Sequence, residues 1–109
     1  MAREVHLGDI GTRYKVRCRD AGVDFDPTSA TTKEIIFKMP QARLVKTATV
    51  LEENGVWYLI YDVVDATFHS RVGKVSMQGH LIFANGHEFR SDVQTKDVDG
   101  FPLYVYGNL

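Results

Sequence analysis

The alternation of apolar and polar residues is most regular between Gly73 and Thr95, where it predicts a long β-hairpin. Before the turn, Val75, Met77, Leu81 and Phe83 alternate with Lys74, Ser76, Gln78, His80 and Ile82. After it, Phe89 and Val93 alternate with Glu88, Arg90, Asp92 and Gln94. Asn85-Gly86 marks the turn. A two-residue loop would set Phe83 opposite Glu88 and Leu81 opposite Arg90, mixing the faces. A three-residue loop of Ala84, Asn85 and Gly86, with Gly86 left-handed as a bulge, pairs Phe83 with His87, Leu81 with Phe89 and Met77 with Val93. It also sets His80 by Arg90 and Gln78 by Asp92 on the opposite face. A slip of one residue would turn the apolar set outward, so the three-residue loop is expected.

The same period of two recurs along the chain. In Thr12–Arg19, Tyr14, Val16 and Cys18 alternate with Arg13, Lys15, Arg17 and Arg19, giving one core face and one wet face. Residues 1–11 form an extended or looped lead-in, and Asp20–Ser29 is a loop broken by Gly22 and Asp26-Pro27. Ser29–Thr32 suits a short turn. Lys33–Met39 is a strand with Ile35, Phe37 and Met39 on one face, stopped by Pro40. Leu44–Glu52 and Val56–Val64 form a hairpin about Glu53-Asn54-Gly55. Asp65–Arg71 is a polar corner, and Asp99-Gly100 turns the chain into residues 99–109, where Phe101–Tyr106 is a last edge strand or a docking tail. No helical stripe exceeds two turns. About seven strands with frequent turn signals predict a single domain, an antiparallel β-sandwich, with a partly open small β-barrel as the alternative.

Composition narrows the chemistry. The chain has 109 residues, 44% hydrophobic and 25% charged, and a net charge of −1, so it has no global attraction for nucleic acid or an anionic membrane. No apolar run reaches the roughly 20 residues of a bilayer span, and Met-Ala-Arg-Glu-Val-His lacks the apolar core of a signal peptide. Cys18 is the single cysteine, which excludes an intrachain disulfide, and its place on the apolar row predicts an inert thiol. His6, His69, His80 and His87 show no metal-ligand spacing, and His80 is expected on the wet face of its hairpin. Asp97-x-Asp99-Gly100 and Asp24-x-Asp26-Pro27 read as turns. Nucleophile elbows, phosphate loops and dinucleotide fingerprints are absent, so no catalytic residue, metal or cofactor is expected.

Two surface features stand out. Arg13, Lys15, Arg17 and Arg19 make an electrostatic face, read as solvated and paired with acidic neighbours rather than as a nucleic-acid track. Val56–Val64 is apolar on both faces. Its odd row, Trp57, Leu59, Tyr61 and Val63, is assigned to the core because no charge interrupts it. Tyr58 and Ile60 then point outward and need a cover, either the tail Leu103–Tyr106 or another subunit. Tyr58, Ile60, Tyr104 and Tyr106 are therefore the candidate protein-interface residues.

Several stretches resemble a known family. His6-Leu7-Gly8-Asp9-Ile10-Gly11-Thr12, the run from Ser29 to Pro40, and Lys46-Thr47-Ala48-Thr49 resemble small phage-encoded immunoglobulin-like proteins related to the N-terminal domain of phage baseplate upper proteins. Gly73, Met77 and Gln78 fit that family's Gly-x-Trp-x-Ile-Gln corner element, while Val75 takes its aromatic position and Ser70 replaces its acidic residue. The ending Asn108-Leu109 is also similar. The resemblance implies an immunoglobulin-like sandwich that is a non-enzymatic structural virion protein of a tailed bacteriophage, in the baseplate, tail, neck or fibre attachment. Its partners would be other virion proteins, with a possible homo-oligomer in multiple copies, assembled in the host cytoplasm. The alternative is a receptor- or glycan-binding module at a tail tip, for which Trp57, Tyr58, Tyr61, Tyr104 and Tyr106 offer aromatic faces.

Overall fold

The computed structural model describes residues 5–39 and 42–107. The stop at Pro40, the first four residues of the lead-in and the terminal Asn108-Leu109 lie outside them. Among the described residues the chain is all-β and has no helix. It forms twelve strands there, more than the seven expected: Thr12–Arg19, Leu44–Glu52 and the first arm of the long hairpin are each divided, and short strands also appear in the lead-in and at Val23–Asp24, inside the expected loop Asp20–Ser29, where Asp24 pairs with Arg19. The first half contains β1 (Val5–His6), β2 (Arg13–Arg17), β3 (Arg19–Asp20), β4 (Val23–Asp24), β5 (Ala30–Met39) and β6 (Ala42–Thr47). The second contains β7 (Thr49–Glu53), β8 (Val56–Asp62), β9 (Gly73–Lys74), β10 (Ser76–Phe83), β11 (Glu88–Arg90) and β12 (Tyr104–Tyr106).

Four sheets result, in the orders β11-β10-β5-β6, β2-β8-β7, β1-β12-β9 and β3-β4. The first two face each other across the core. Ile35 and Phe37 of β5 and Met77 and Leu81 of β10 come from one side, and Tyr14 and Val16 of β2 and Leu59 of β8 from the other. Gly79 makes close approach possible: a Cβ there would meet the Leu59 side chain at 3.1 Å and the Ser91 hydroxyl at 3.2 Å.

The predicted strand Leu44–Glu52 is divided at Ala48. Upstream, β6 pairs with β5; downstream, β7 pairs with β8 in the facing sheet. Ala48 is buried at the crossing and its N–H donates to the Lys33 carbonyl at 2.9 Å. A side chain this small lets the chain change sheets without opening the core. The following hairpin closes on Asn54 and Gly55, both at positive φ, with Glu53 opposite Val56. That is the geometry of a two-residue type I′ loop.

The Gly73–Thr95 hairpin keeps the expected register near its turn: Leu81 faces Phe89, His80 faces Arg90, and the Phe83 N–H donates to the His87 carbonyl at 2.9 Å. Farther down the register changes. The Ser91 N–H donates to the Gly79 carbonyl, and the next pair is Met77 with Gln94 rather than Val93. One extra residue has been taken up as a bulge. Val93 is consequently 60% exposed. The Asp92 carboxylate instead accepts from the Ala21 and Gly22 N–H groups of the β3–β4 turn, and Gln78 Nε2 donates to the Ser91 carbonyl. Those backbone donors explain why the regular pairing gives way.

Three other expectations change. Ser29–Thr32 is not wholly a turn, since β5 already begins at Ala30 and carries Thr31 and Thr32. The corner Asp65–Arg71 is polar only in part, because Phe68 and His69 are buried. The last strand is not at an edge: β12 lies between β1, which it pairs in parallel, and β9. Val105, 1% exposed, anchors it to the core. Cys18 faces the core as expected, and burial pushes its thiol up to about 12.

Gly86 has φ +85°, and a Cβ on it would meet nothing within 4 Å. The cost of a side chain is therefore backbone strain alone. Gly86→Val is expected to lower stability by about 1 kcal/mol or more, read from thermal melting; an unchanged melting temperature would contradict the left-handed turn.

Candidate assembly surface

Core packing determines what the sheet β2-β8-β7 shows to the outside. With Tyr14 and Val16 pointing in, Arg13, Lys15 and Arg17 must point out. With Leu59 and Val63 buried and Trp57 and Tyr61 packed against the core, Tyr58 and Ile60 share that outer side. Strand register then joins the two groups. Arg13 pairs with Asp62, Lys15 with Ile60 and Arg17 with Tyr58 across β2 and β8. On the other flank of β8, Thr49 pairs with Ile60 and Leu51 with Tyr58. The outer face is thus an apolar strip of Leu51, Tyr58 and Ile60 bordered by long cationic side chains. Leu51 and Thr49 are the members that sequence reasoning missed. Their signal was the hairpin about Asn54-Gly55, which fixes their partners on β8.

The cations on this face are paired. Arg13 forms a two-point bond to Asp62, with Nε and Nη2 at 2.7 and 3.1 Å from the carboxylate oxygens. Arg17 binds Asp24 the same way, at 2.9 and 2.8 Å. Lys15 Nζ lies 2.6 Å from Glu53 Oε1 and 5.4 Å from the centre of the Tyr58 ring. The lysine stem therefore lies along Tyr58, and both Tyr58 and Ile60 are half-buried rather than bare. Arg19 does not join them. The chain leaves the sheet at Cys18, and Arg19 sits in β3 with Nε 3.6 Å from Asp24 Oδ1. Gln94 closes the free edge of β2, its Oε1 accepting from the Arg17 N–H at 2.7 Å.

Tyr104 and Tyr106 lie elsewhere, on β12, their rings tilted against each other with centres 4.8 Å apart. The tail strand pairs with β1 and β9, so it is not the cover for Tyr58 and Ile60. The aromatics Trp57, Tyr58, Tyr61, Tyr104 and Tyr106 are divided between the core and two different sheets and make no common platform.

Two histidine arrangements were not legible in the sequence. Buried His69 lies between the Tyr14 hydroxyl, 2.7 Å from Nε2, and the Asp9 carbonyl, 2.9 Å from Nδ1. A carbonyl only accepts, so Nδ1 carries the proton and the Tyr14 hydroxyl donates to Nε2. Burial raises the Tyr14 phenol above its ordinary value, which keeps that proton in place. His80 is also less exposed than expected. Its ring bridges Glu34, its register partner on β5, at 3.0 Å and Glu88 of β11 at 3.1 Å. Among the described residues no group of three His, Cys, Asp or Glu side chains could hold a metal ion, and no helix is long and apolar enough to cross a membrane.

The hydrogen bond from Arg13 holds the Asp62 carboxyl below its usual range, and that from Arg17 does the same for Asp24. A depressed native pKa contributes stability that is fully present above the unfolded value of about 3.9 and is lost as pH falls through the lower native value. The melting-temperature gap between the native chain and the double variant Asp24→Asn, Asp62→Asn is therefore expected to narrow as pH drops below about 4. A gap independent of pH would show that these pairs are electrostatically idle. No protein-family model, no curated protein and no solved structure matches the chain.

Proposed function

We propose that this chain is an immunoglobulin-like structural component of a tailed-phage virion, a baseplate, tail, neck or fibre-attachment protein, acting through assembly contacts rather than catalysis. The observation that carries the reading is the outer face of β2-β8-β7. A strip of Leu51, Tyr58 and Ile60 on a rigid sheet, framed by Arg13, Lys15 and Arg17, has the aromatic and cationic make-up of a protein–protein interface core and rim. The facing sheets, with a chain that crosses between them at Ala48, support an immunoglobulin-like sandwich, as do the residues that resemble the phage family. Other virion proteins are the expected partners, with a second copy of the chain as one form that contact can take.

Completing the burial of half-buried Ile60 at a contact contributes about 1 kcal/mol, which a carboxylate would forfeit. Ile60→Glu places that carboxylate beside Lys15 on the outer face, so the isolated chain is expected to fold at a cost of about 1 kcal/mol. Circular dichroism and melting check the fold, and the protein composition of assembled particles checks incorporation. The expected result is a folded chain missing from particles. Normal incorporation would place the contact on another face, and an unfolded variant would mean that Ile60 belongs to the core.

A further inference from the structure

A cavity of about 740 Å³ opens at one end of the four-stranded sheet, where the end of β5, the β9–β10 connection and residues 95–104 meet. It is separate from Tyr58 and Ile60, and its volume falls within the range of small-molecule sites. Its wall is apolar, built by Met39, Val75 and Leu103. Lys38, Lys74 and Lys96 stand around it, all exposed, and none has an ion-pair partner among the described residues.

The charge pattern is specific to this hollow. The cleft along β2 mixes Arg17, Arg19 and Lys96, which stands between the two hollows, with Asp92 and Asp97, and a third mixes Arg13 and Lys15 with Asp97 and Asp99. No carboxylate lines the first. In a chain whose net charge is −1, three ammonium groups without an ion-pair partner among the described residues, Lys38 and Lys74 lining no hollow that holds a carboxylate, make a local positive field around this apolar wall. Flexible lysine stems can bring those ammonium groups onto an anion from several directions. Ser76 and Tyr104 also line it.

We propose that this cavity binds a small amphipathic carboxylate, its hydrocarbon body against Met39, Val75 and Leu103 and its carboxylate among Lys38, Lys74 and Lys96. The assignment needs both halves. An apolar wall alone would take a neutral hydrocarbon alcohol equally well, and the lysines alone would take any inorganic anion.

Octanoate, octan-1-ol and octylammonium share one chain and differ in the head group, so titrating each into the whole chain separates these cases. Methyl resonances of Met39 and Leu103, followed by NMR, locate the binding. Octanoate is expected to saturate with one equivalent, about tenfold tighter than octan-1-ol, and to weaken as salt is raised. Octylammonium is expected to leave those resonances in place. The double variant Lys38→Gln, Lys74→Gln should lose about tenfold in octanoate affinity at an unchanged circular dichroism spectrum. Equal binding of octanoate and octan-1-ol, shifts confined to other methyl groups, or no saturable binding would each overturn the proposal. Should the double variant fail to fold, the three-ligand comparison on the native chain decides alone.

Discussion

Phe37 is fully buried toward the end of β5, and three other rings pack edge-on around it: Tyr14 at 5.2 Å, Tyr61 at 5.8 Å and Phe68 at 4.9 Å. Tyr14 and Tyr61 come from the facing sheet and Phe68 from the corner after β8, so one side chain joins three separate parts of the chain. Each such aromatic pair is worth about 0.5–1.5 kcal/mol beyond the apolar area it buries. The arrangement also brings an obligation. The Tyr14 hydroxyl is carried into the core, where a polar group without a partner is costly. His69 supplies the acceptor and passes its own N–H to the Asp9 carbonyl, and Asp9 in turn accepts from the His6 N–H through its carboxylate at 2.8 Å. The lead-in and the corner are thereby tied to the core by the need to satisfy one phenol.

The surface follows from this constraint. Once Tyr14 and Tyr61 point inward, the period of two leaves Arg13, Lys15, Arg17, Tyr58 and Ile60 no other side to occupy. A one-residue slip of β2 would place three cations in the core, so the outer face proposed for assembly is locked by the packing behind it. Half-burial of Tyr58 beneath Lys15 keeps the strip from being a bare apolar patch in the free chain. The Lys15–Glu53 pair is exposed, and a partner can rearrange it at small cost.

Local pattern alone was enough for the rows Tyr14–Val16–Cys18 and Trp57–Leu59–Tyr61, for the Ala84-Asn85-Gly86 loop, and for the pairing of basic residues with acidic neighbours. These depend on alternation and turn chemistry, which a reader of the sequence can see. What escaped depends on contacts distant along the chain. The bulge after Ser91 arises because Asp92 caps a turn seventy residues upstream. The sheet switch at Ala48 requires knowing that β7 belongs to β8, and the burial of His69 requires knowing that Tyr14 lies above it. The same limit applied to the site. Tyr58 and Ile60 were readable as outward residues, but their union with Lys15 and Arg17, and the exclusion of Tyr104 and Tyr106, come from strand order.

The most direct test of the assembly face uses the silence of the native cysteine. Cys18 is buried with a thiol that resists ionisation, so it contributes almost no labelling in the folded chain. Thr49→Cys places a reactive thiol on the exposed outer side of β7, directly beside Ile60. Its labelling rate in the free chain is then compared with that in assembled particles, with Val23→Cys, exposed on β4, as the reference. Rapid labelling of the free chain, with strong protection at position 49 and little at position 23 in particles, is the predicted result. Equal reactivity at position 49 in both states would contradict the assignment of this face as the contact.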